Sequence, residues 1–144
     1  MRKGFGILQA LLVIVMISGI MMIAMKYATI SVKHTKDLYI KESAELFMDS
    51  AVELTLLAIS GYDRSSDCLK EVNITSSDQR FNAYINISKY YLHVDENCGS
   101  RTQYIQTEDS HGMVMLEVTV ESNTTHPKNG NTIVKLTRRT LQRP

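Results

Sequence analysis

Apolar and polar positions are distributed unevenly along this chain. From Phe5 to Met25 it reads FGILQALLVIVMISGIMMIAM, with Gln9 and Ser18 as the polar side chains, and no charged residue stands between Lys3 and Lys26. As a helix rising about 1.5 Å per residue, this run covers about 30 Å, the thickness of a bilayer's hydrocarbon core. The buried helix of a soluble protein keeps a polar stripe, and this run has none, so it predicts a membrane-spanning helix. A cleaved secretory signal would have a shorter apolar stretch, of about 7–15 residues, followed by a small-x-small site. Ala24-Met25-Lys26 offers no such site.

The helical pattern continues beyond Met25. Ile40, Ala44, Phe47, Ala51, Leu54 and Ala58 recur at alternating steps of four and three, which draws one apolar stripe. Lys41 and Glu45 stand at an ion-pair spacing, and Asp37, Glu42, Asp49 and Glu53 occupy polar faces. Gly61 falls where a helix C-terminus is expected. The pattern predicts one helix from about Phe5 to about Ser60, apolar all round at first and on one side later. A coiled coil would need heptads sustained over three or four repeats, which are not present.

From Gly61 to Gln79 the chain is polar and rich in Ser and Asp, which predicts a connecting loop. Strand alternation follows, with Phe81, Ala83, Ile85 and Ile87 on one face and Asn82, Tyr84, Asn86 and Ser88 on the other. Val114, Leu116, Val118 and Val120 alternate in the same way. Thr132–Leu141 mixes β-branched and basic residues, as an edge strand does. His126-Pro127-Lys128-Asn129-Gly130 is a strong turn signal between the last two strands and predicts a hairpin. Tyr90–Val94 extends the first strand, and Tyr104–Thr107 reads as a short strand of its own. The predicted fold class is α+β, a long helix followed by a small antiparallel sheet.

Composition narrows the function classes. The 16 basic and 15 acidic residues of the 144 leave a net charge of +1, too little for a chain whose main partner is nucleic acid. No nucleophile elbow, phosphate loop or dinucleotide fingerprint occurs, so no enzyme is expected.

A basic leader, a glycine, a phenylalanine and then about twenty apolar residues resembles the N-terminus of type IV pilins and type II secretion pseudopilins. The matching residues are Met1-Arg2-Lys3, Gly4 and Phe5, with the apolar run behind them. The resemblance implies cleavage between Gly4 and Phe5 by a prepilin peptidase, with methylation of the new N-terminus. It divides the chain into a leader at 1–4, a transmembrane half-helix at 5–25 and a periplasmic, pilin-like domain at 26–144. That domain comprises the second half of the helix to about 60, the loop at 61–79 and the sheet at 80–144. The implied setting is the bacterial inner membrane, crossed once, or the outside of the cell in an assembled filament. The implied partners are the peptidase, other pilin or pseudopilin subunits, the inner-membrane assembly platform with its ATPase, and the lipid bilayer. The implied machine serves secretion, DNA uptake or surface attachment.

Two positions depart from the family pattern. Gln9 stands where a glutamate is usual, and the long helix lacks the kinking proline of many members. In a filament that glutamate neutralises the buried N-terminal amine of an adjoining subunit, where an unpaired charge is very costly. A chain with Gln9 receives this pairing without donating it, which implies a minor subunit at the tip or initiating end, the other reading being a weaker contact in a subunit scattered along the shaft. A signal-anchored periplasmic binding or sensor domain that never polymerises is the alternative from another class.

The remaining candidate chemistry is sparse. Lys26, Lys33, Lys36 and Lys41 follow the apolar run closely, and a plain positive-inside count slightly favours a cytoplasmic C-terminus. The cysteines and the resemblance favour the opposite orientation. Cys68 and Cys98 are the only two, and outside the cytoplasm they predict a disulfide, against two reduced thiols inside it. His34, His93, His111 and His126 lack metal-ligand spacing. Asp95-Glu96-Asn97 and Glu108-Asp109-Ser110 read as solvated turns; some pseudopilins bind calcium in loops of this region, but neither stretch matches a defined calcium loop. No metal or cofactor is expected beyond that open calcium case. Sequons occur at Asn73, Asn86 and Asn123, and those at Asn73 and Asn123 carry an acid two residues upstream, resembling an extended bacterial glycosylation acceptor.

Overall fold

A computed structural model describes residues 4–63, 67–92, 98–105, 112–127, 129 and 132–143, with the side chains of Gly4 and Phe5 outside that set. It consists of two units, Met1–Tyr39 and Ile40–Pro144. One helix, α1 (Gly4–Ser60), is continuous over 57 residues. It ends at the residue before Gly61, whose N–H donates to the Leu57 carbonyl at 3.1 Å.

In the first unit every described side chain from Gly6 to Tyr39 is exposed. In the second, α1 buries Ile40, Ala44, Met48, Ala51, Val52, Thr55 and Ile59. That face follows the expected stripe at Ile40, Ala44 and Ala51, with Phe47 packed against it, and departs from it towards the end of the helix. Leu54 is 51% exposed and Ala58 is also exposed, while Thr55 and Ile59 are sealed. Strict steps of four and three average 3.5 residues and drift against a helix of 3.6 residues per turn. Thr55 tolerates complete burial because its hydroxyl donates to the Ala51 carbonyl at 2.7 Å, so no polar group is stranded.

The sheet contains β1 (Glu71–Thr75), β2 (Phe81–Leu92), β3 (Thr102–Tyr104), β4 (Met113–Ser122) and β5 (Lys135–Gln142), in the order β1-β2-β4-β5. These pairings are antiparallel, and β3 continues the β1 edge by pairing in parallel with the end of β2. The predicted α+β class is the observed one. The inner faces of β2 and β4 carry Phe81, Ala83, Ile85, Ile87, Leu116, Val118 and Val120, which join the buried face of α1 in one core. Each such Leu, Val or Ile contributes roughly 1.5–3 kcal/mol by leaving water.

Three boundaries differ from expectation. The stretch 61–79, read as a loop, contains β1. Val72 and Ile74 are only half-buried there between exposed Glu71, Asn73 and Thr75, so the segment is too polar to announce a strand and depends on its partner β2. The short strand expected at Tyr104–Thr107 lies earlier, at Thr102–Tyr104, and Gln106 and Thr107 are outside the described residues. β2 is one strand to Leu92, but its phase flips: Ile85 and Ile87 face inward, then Tyr90 and Leu92. A β-bulge between Ile87 and Lys89 causes the flip, and the Ser88 hydroxyl donates across it to the Met115 carbonyl at 3.2 Å.

β4 and β5 form the expected hairpin. In its turn the Asn129 N–H donates to the His126 carbonyl at 3.0 Å. The open edge β5 is strongly basic, and its cations pair inward with Glu121 (Lys135), Glu117 (Arg139) and Asp49 of α1 (Arg138). Such an edge resists chance pairing with another strand.

Candidate functional site

The first candidate is the apolar part of α1. It is long and apolar enough to cross a bilayer once. Leu8, Val15, Ile20 and Met22 are each about two-thirds exposed. A hydrocarbon environment requires every backbone and side-chain donor to be satisfied internally. The helix meets this for its backbone, and the Ser18 hydroxyl returns to the Val15 carbonyl at 3.0 Å. Beyond the apolar run, the Thr29 hydroxyl likewise reaches the Met25 and Lys26 carbonyls. Gln9 is exposed on this helix, and no hydrogen bond to its amide is present among the described residues. Gly4 and Phe5 are helical in backbone.

The second candidate is the cysteine pair. Cys68 and Cys98 form a disulfide with their Cα atoms 5.3 Å apart, and both are buried. The bridge fastens the segment before β1 to the segment before β3, and its surroundings reinforce the same junction. The Tyr90 hydroxyl donates to the Leu69 carbonyl at 2.6 Å, and Arg101 donates to the carbonyls of Lys70 and Ile87 at 3.0 and 2.9 Å. Beside it, a hydrogen bond from the Lys70 ammonium, and then one from the Cys68 N–H, hold the Asp67 carboxyl below the usual carboxylate range.

The sequons differ in availability. Asn73 is exposed in the middle of β1, and Asn86 is exposed on β2. Asn123 is committed: its amide donates to the Gln79 carbonyl at 3.1 Å, and its oxygen accepts from the Thr125 N–H and hydroxyl at 3.1 and 2.6 Å. His34 is exposed on α1 and His126 sits in the hairpin turn. His93, His111 and both acidic stretches, at 95–97 and 108–110, lie outside the described residues. Among the described residues, no group of three His, Cys, Asp or Glu side chains is placed to hold a metal.

Sequence reasoning missed a buried polar latch. Arg80, 8% exposed, donates from Nε to the Asn129 Oδ1 at 2.9 Å, and its guanidinium lies 5.3 Å from the centre of the Phe81 ring. Asn129 is fully buried, and its amide donates to the carbonyls of Arg80 and Asn123 at 2.9 and 3.0 Å. Asn129 was visible only as a turn residue, because partners 49 positions away cannot be read from spacing. Asp78 supports the same corner, and its carboxyl is lowered first by the Ser76 hydroxyl bonded to it.

No family model matches the chain, and no curated protein or solved structure shows significant similarity to it.

Proposed function

We propose that this chain is a membrane-anchored structural subunit of a helical filament, a minor pilin or pseudopilin processed between Gly4 and Phe5. One observation carries the reading: a single uninterrupted helix is wholly exposed and apolar at its start, then buries one face against a disulfide-closed sheet. An exposed apolar helix needs lipid or other apolar helices around it, and a filament core offers the second environment where a bilayer offers the first. The disulfide supports a sheet domain outside the cytoplasm, because such bonds persist in oxidising compartments. Catalysis belongs to the partners, a prepilin peptidase and an assembly ATPase. Gln9 supports a place at the initiating end, where the chain would receive a neighbour's carboxylate at its own Phe5 amine and donate none.

The test is the mature N-terminus, read by mass spectrometry on protein from its native host. The expected form begins at Phe5 and is methylated there, and replacing Gly4 with a bulky residue leaves the full-length chain. A mature protein that retains Met1–Gly4 sinks the reading and favours an anchored domain that never polymerises.

A further inference from the structure

The second unit holds three Asn-x-Ser/Thr sequences, at Asn73, Asn86 and Asn123, and the fold treats them differently. In β1, Glu71, Asn73 and Thr75 are exposed at alternate positions, so acid, amide and hydroxyl project from one face. Val72 and Ile74 between them pack against the core. Among the described residues, no hydrogen bond or ion pair engages the side chains of Glu71, Asn73 and Thr75. Their backbone is open as well. The Ile87 N–H donates to the Lys70 carbonyl and the Ser76 N–H to the Phe81 carbonyl, each at 2.9 Å. Antiparallel bonding of this kind recurs at every second residue. Lys70, Val72, Ile74 and Ser76 therefore bond towards β2. Glu71, Asn73 and Thr75 turn their N–H and C=O groups to an edge where no described strand pairs.

We propose that Asn73 is an N-glycosylation site, its side-chain amide taking an oligosaccharide from a lipid-linked diphosphate donor. The acceptor is an extended segment that offers an acid, an amide and a hydroxyl on one face and bare backbone along one edge. A transferase can read all of these without unpairing the sheet. In the transfer, a bond forms between Nδ2 of Asn73 and C1 of the first sugar. The C1–O bond to the diphosphate breaks, the lipid diphosphate leaves with that electron pair, and the amide proton passes to a base on the transferase. The proposal rests on the part of the functional reading that puts the sheet unit outside the cytoplasm. Acceptor and donor are then both tethered to one membrane.

The other two sequences lack this combination. Asn86 is exposed, but β2 is paired on both sides there, with Glu71 of β1 and Glu117 of β4. Tyr84, not an acid, stands two residues before it. Asn123 has the acid, but its amide donates to the Gln79 carbonyl and its oxygen accepts from the Thr125 hydroxyl, the group a transferase would need. Its backbone N–H donates to the Arg80 carbonyl at 2.7 Å. A glycan on Asn73 also serves the fold. The β5 edge is guarded by Lys135, Arg138 and Arg139, whereas Glu71 is the only charge in β1. A bulky, solvated group beside that edge hinders the approach of a foreign strand.

The experiment is tryptic mapping by mass spectrometry of the full chain from its native host. Trypsin separates the three sequences onto different peptides, Glu71–Arg80, Phe81–Lys89 and Thr102–Lys128. The expected result is an oligosaccharide mass on Glu71–Arg80 alone. Asn73→Gln and Thr75→Ala should each abolish it, Thr75→Ser should keep it, and Glu71→Ala should lower its occupancy. These positions are exposed, and an unchanged sheet circular-dichroism signal reports intact folding of each variant. An unmodified Glu71–Arg80 peptide overturns the proposal. So does a sugar mass that survives Asn73→Gln, as attachment to a hydroxyl would give, or sugar on either of the other two peptides. The same digest reads the N-terminus, so the two readings fail separately. A chain that begins at Phe5 with a bare Glu71–Arg80 peptide keeps the filament reading and loses this one. A glycosylated chain that retains Met1–Gly4 does the reverse.

Discussion

Between Gly6 and Tyr39 every described side chain of α1 is exposed, with Leu8 at 66% and Ile20 at 67%, whereas Ile40, Ala44 and Ala51 of the same helix are at 1% or less. These side chains are all apolar and the backbone is the same regular helix, so the residue type at these positions does not make the difference. What differs is cover. The later part packs against the sheet of its own unit, and the exposed apolar surface of the earlier part requires a medium around it. An exposed leucine is ordinary, but an unbroken apolar stretch is a demand for a bilayer or for other helices.

The largest effect should come from breaking the demand of the first region. Val13→Asp together with Ile17→Asp places two carboxylates mid-span, at about 3 kcal/mol each on insertion scales, or about 6 kcal/mol together. Membrane flotation should show the variant released from the bilayer, and the denaturation midpoint of the sheet unit should stay unchanged. A variant that remains membrane-bound would mean that the apolar run is not the anchor.

Next in size is the closure of the second region. Replacing Cys68 and Cys98 with serine opens a loop with a sequence separation of 30, worth about 3–4 kcal/mol on the chain-entropy model. Urea denaturation of the full chain in micelles should register that loss, and reduction of the unmutated protein should match it. Equal stability with and without the bridge would contradict this account of the β1–β3 edge.

A smaller and sharper comparison sets two leucines side by side. Leu116 is fully buried and Leu57 is 69% exposed. Leu116→Ala should cost about 3 kcal/mol through lost burial and the cavity it leaves. Leu57→Ala should fall within about 0.5 kcal/mol of no change, as exposed substitutions do. The same denaturation series measures both, and similar costs would erase the distinction between covered and uncovered apolar side chains.

The smallest effect is acid sensitivity, and it belongs to the second region alone. Asp67 and Asp78 titrate below the usual carboxylate range because Lys70 and Ser76, respectively, hydrogen-bond their charged forms. A carboxyl lowered by folding stabilises the fold above its unfolded pKa, and that contribution is lost as the pH falls through the folded value. Stability should therefore be flat from these groups between pH 5 and 8 and decline below about pH 4. Asp67→Asn with Asp78→Asn should flatten that acid limb in a pH series of thermal melts. An unchanged limb would assign the decline to other groups.

The sequence by itself determined the helix, its extent and the order of helix before strands, because these rest on local facts. An apolar run of bilayer length, a glycine at the helix end and period-two alternation in β2 and β4 are properties of neighbouring residues. The two lone cysteines also named their own partners. What only the tertiary structure decided is everything that depends on a distant surface. Which side of α1 is buried followed the sheet rather than the heptad-like spacing, so Thr55 and Ile59 are inside while Leu54 and Ala58 are out. β1 became a strand because β2 accepts it, although Glu71–Thr75 reads as loop. Asn129 became the centre of a latch because Arg80 is brought to it from 49 residues away. Local backbone preference is written in adjacent residues, but burial is a relation between surfaces, and it exists only once the chain has folded.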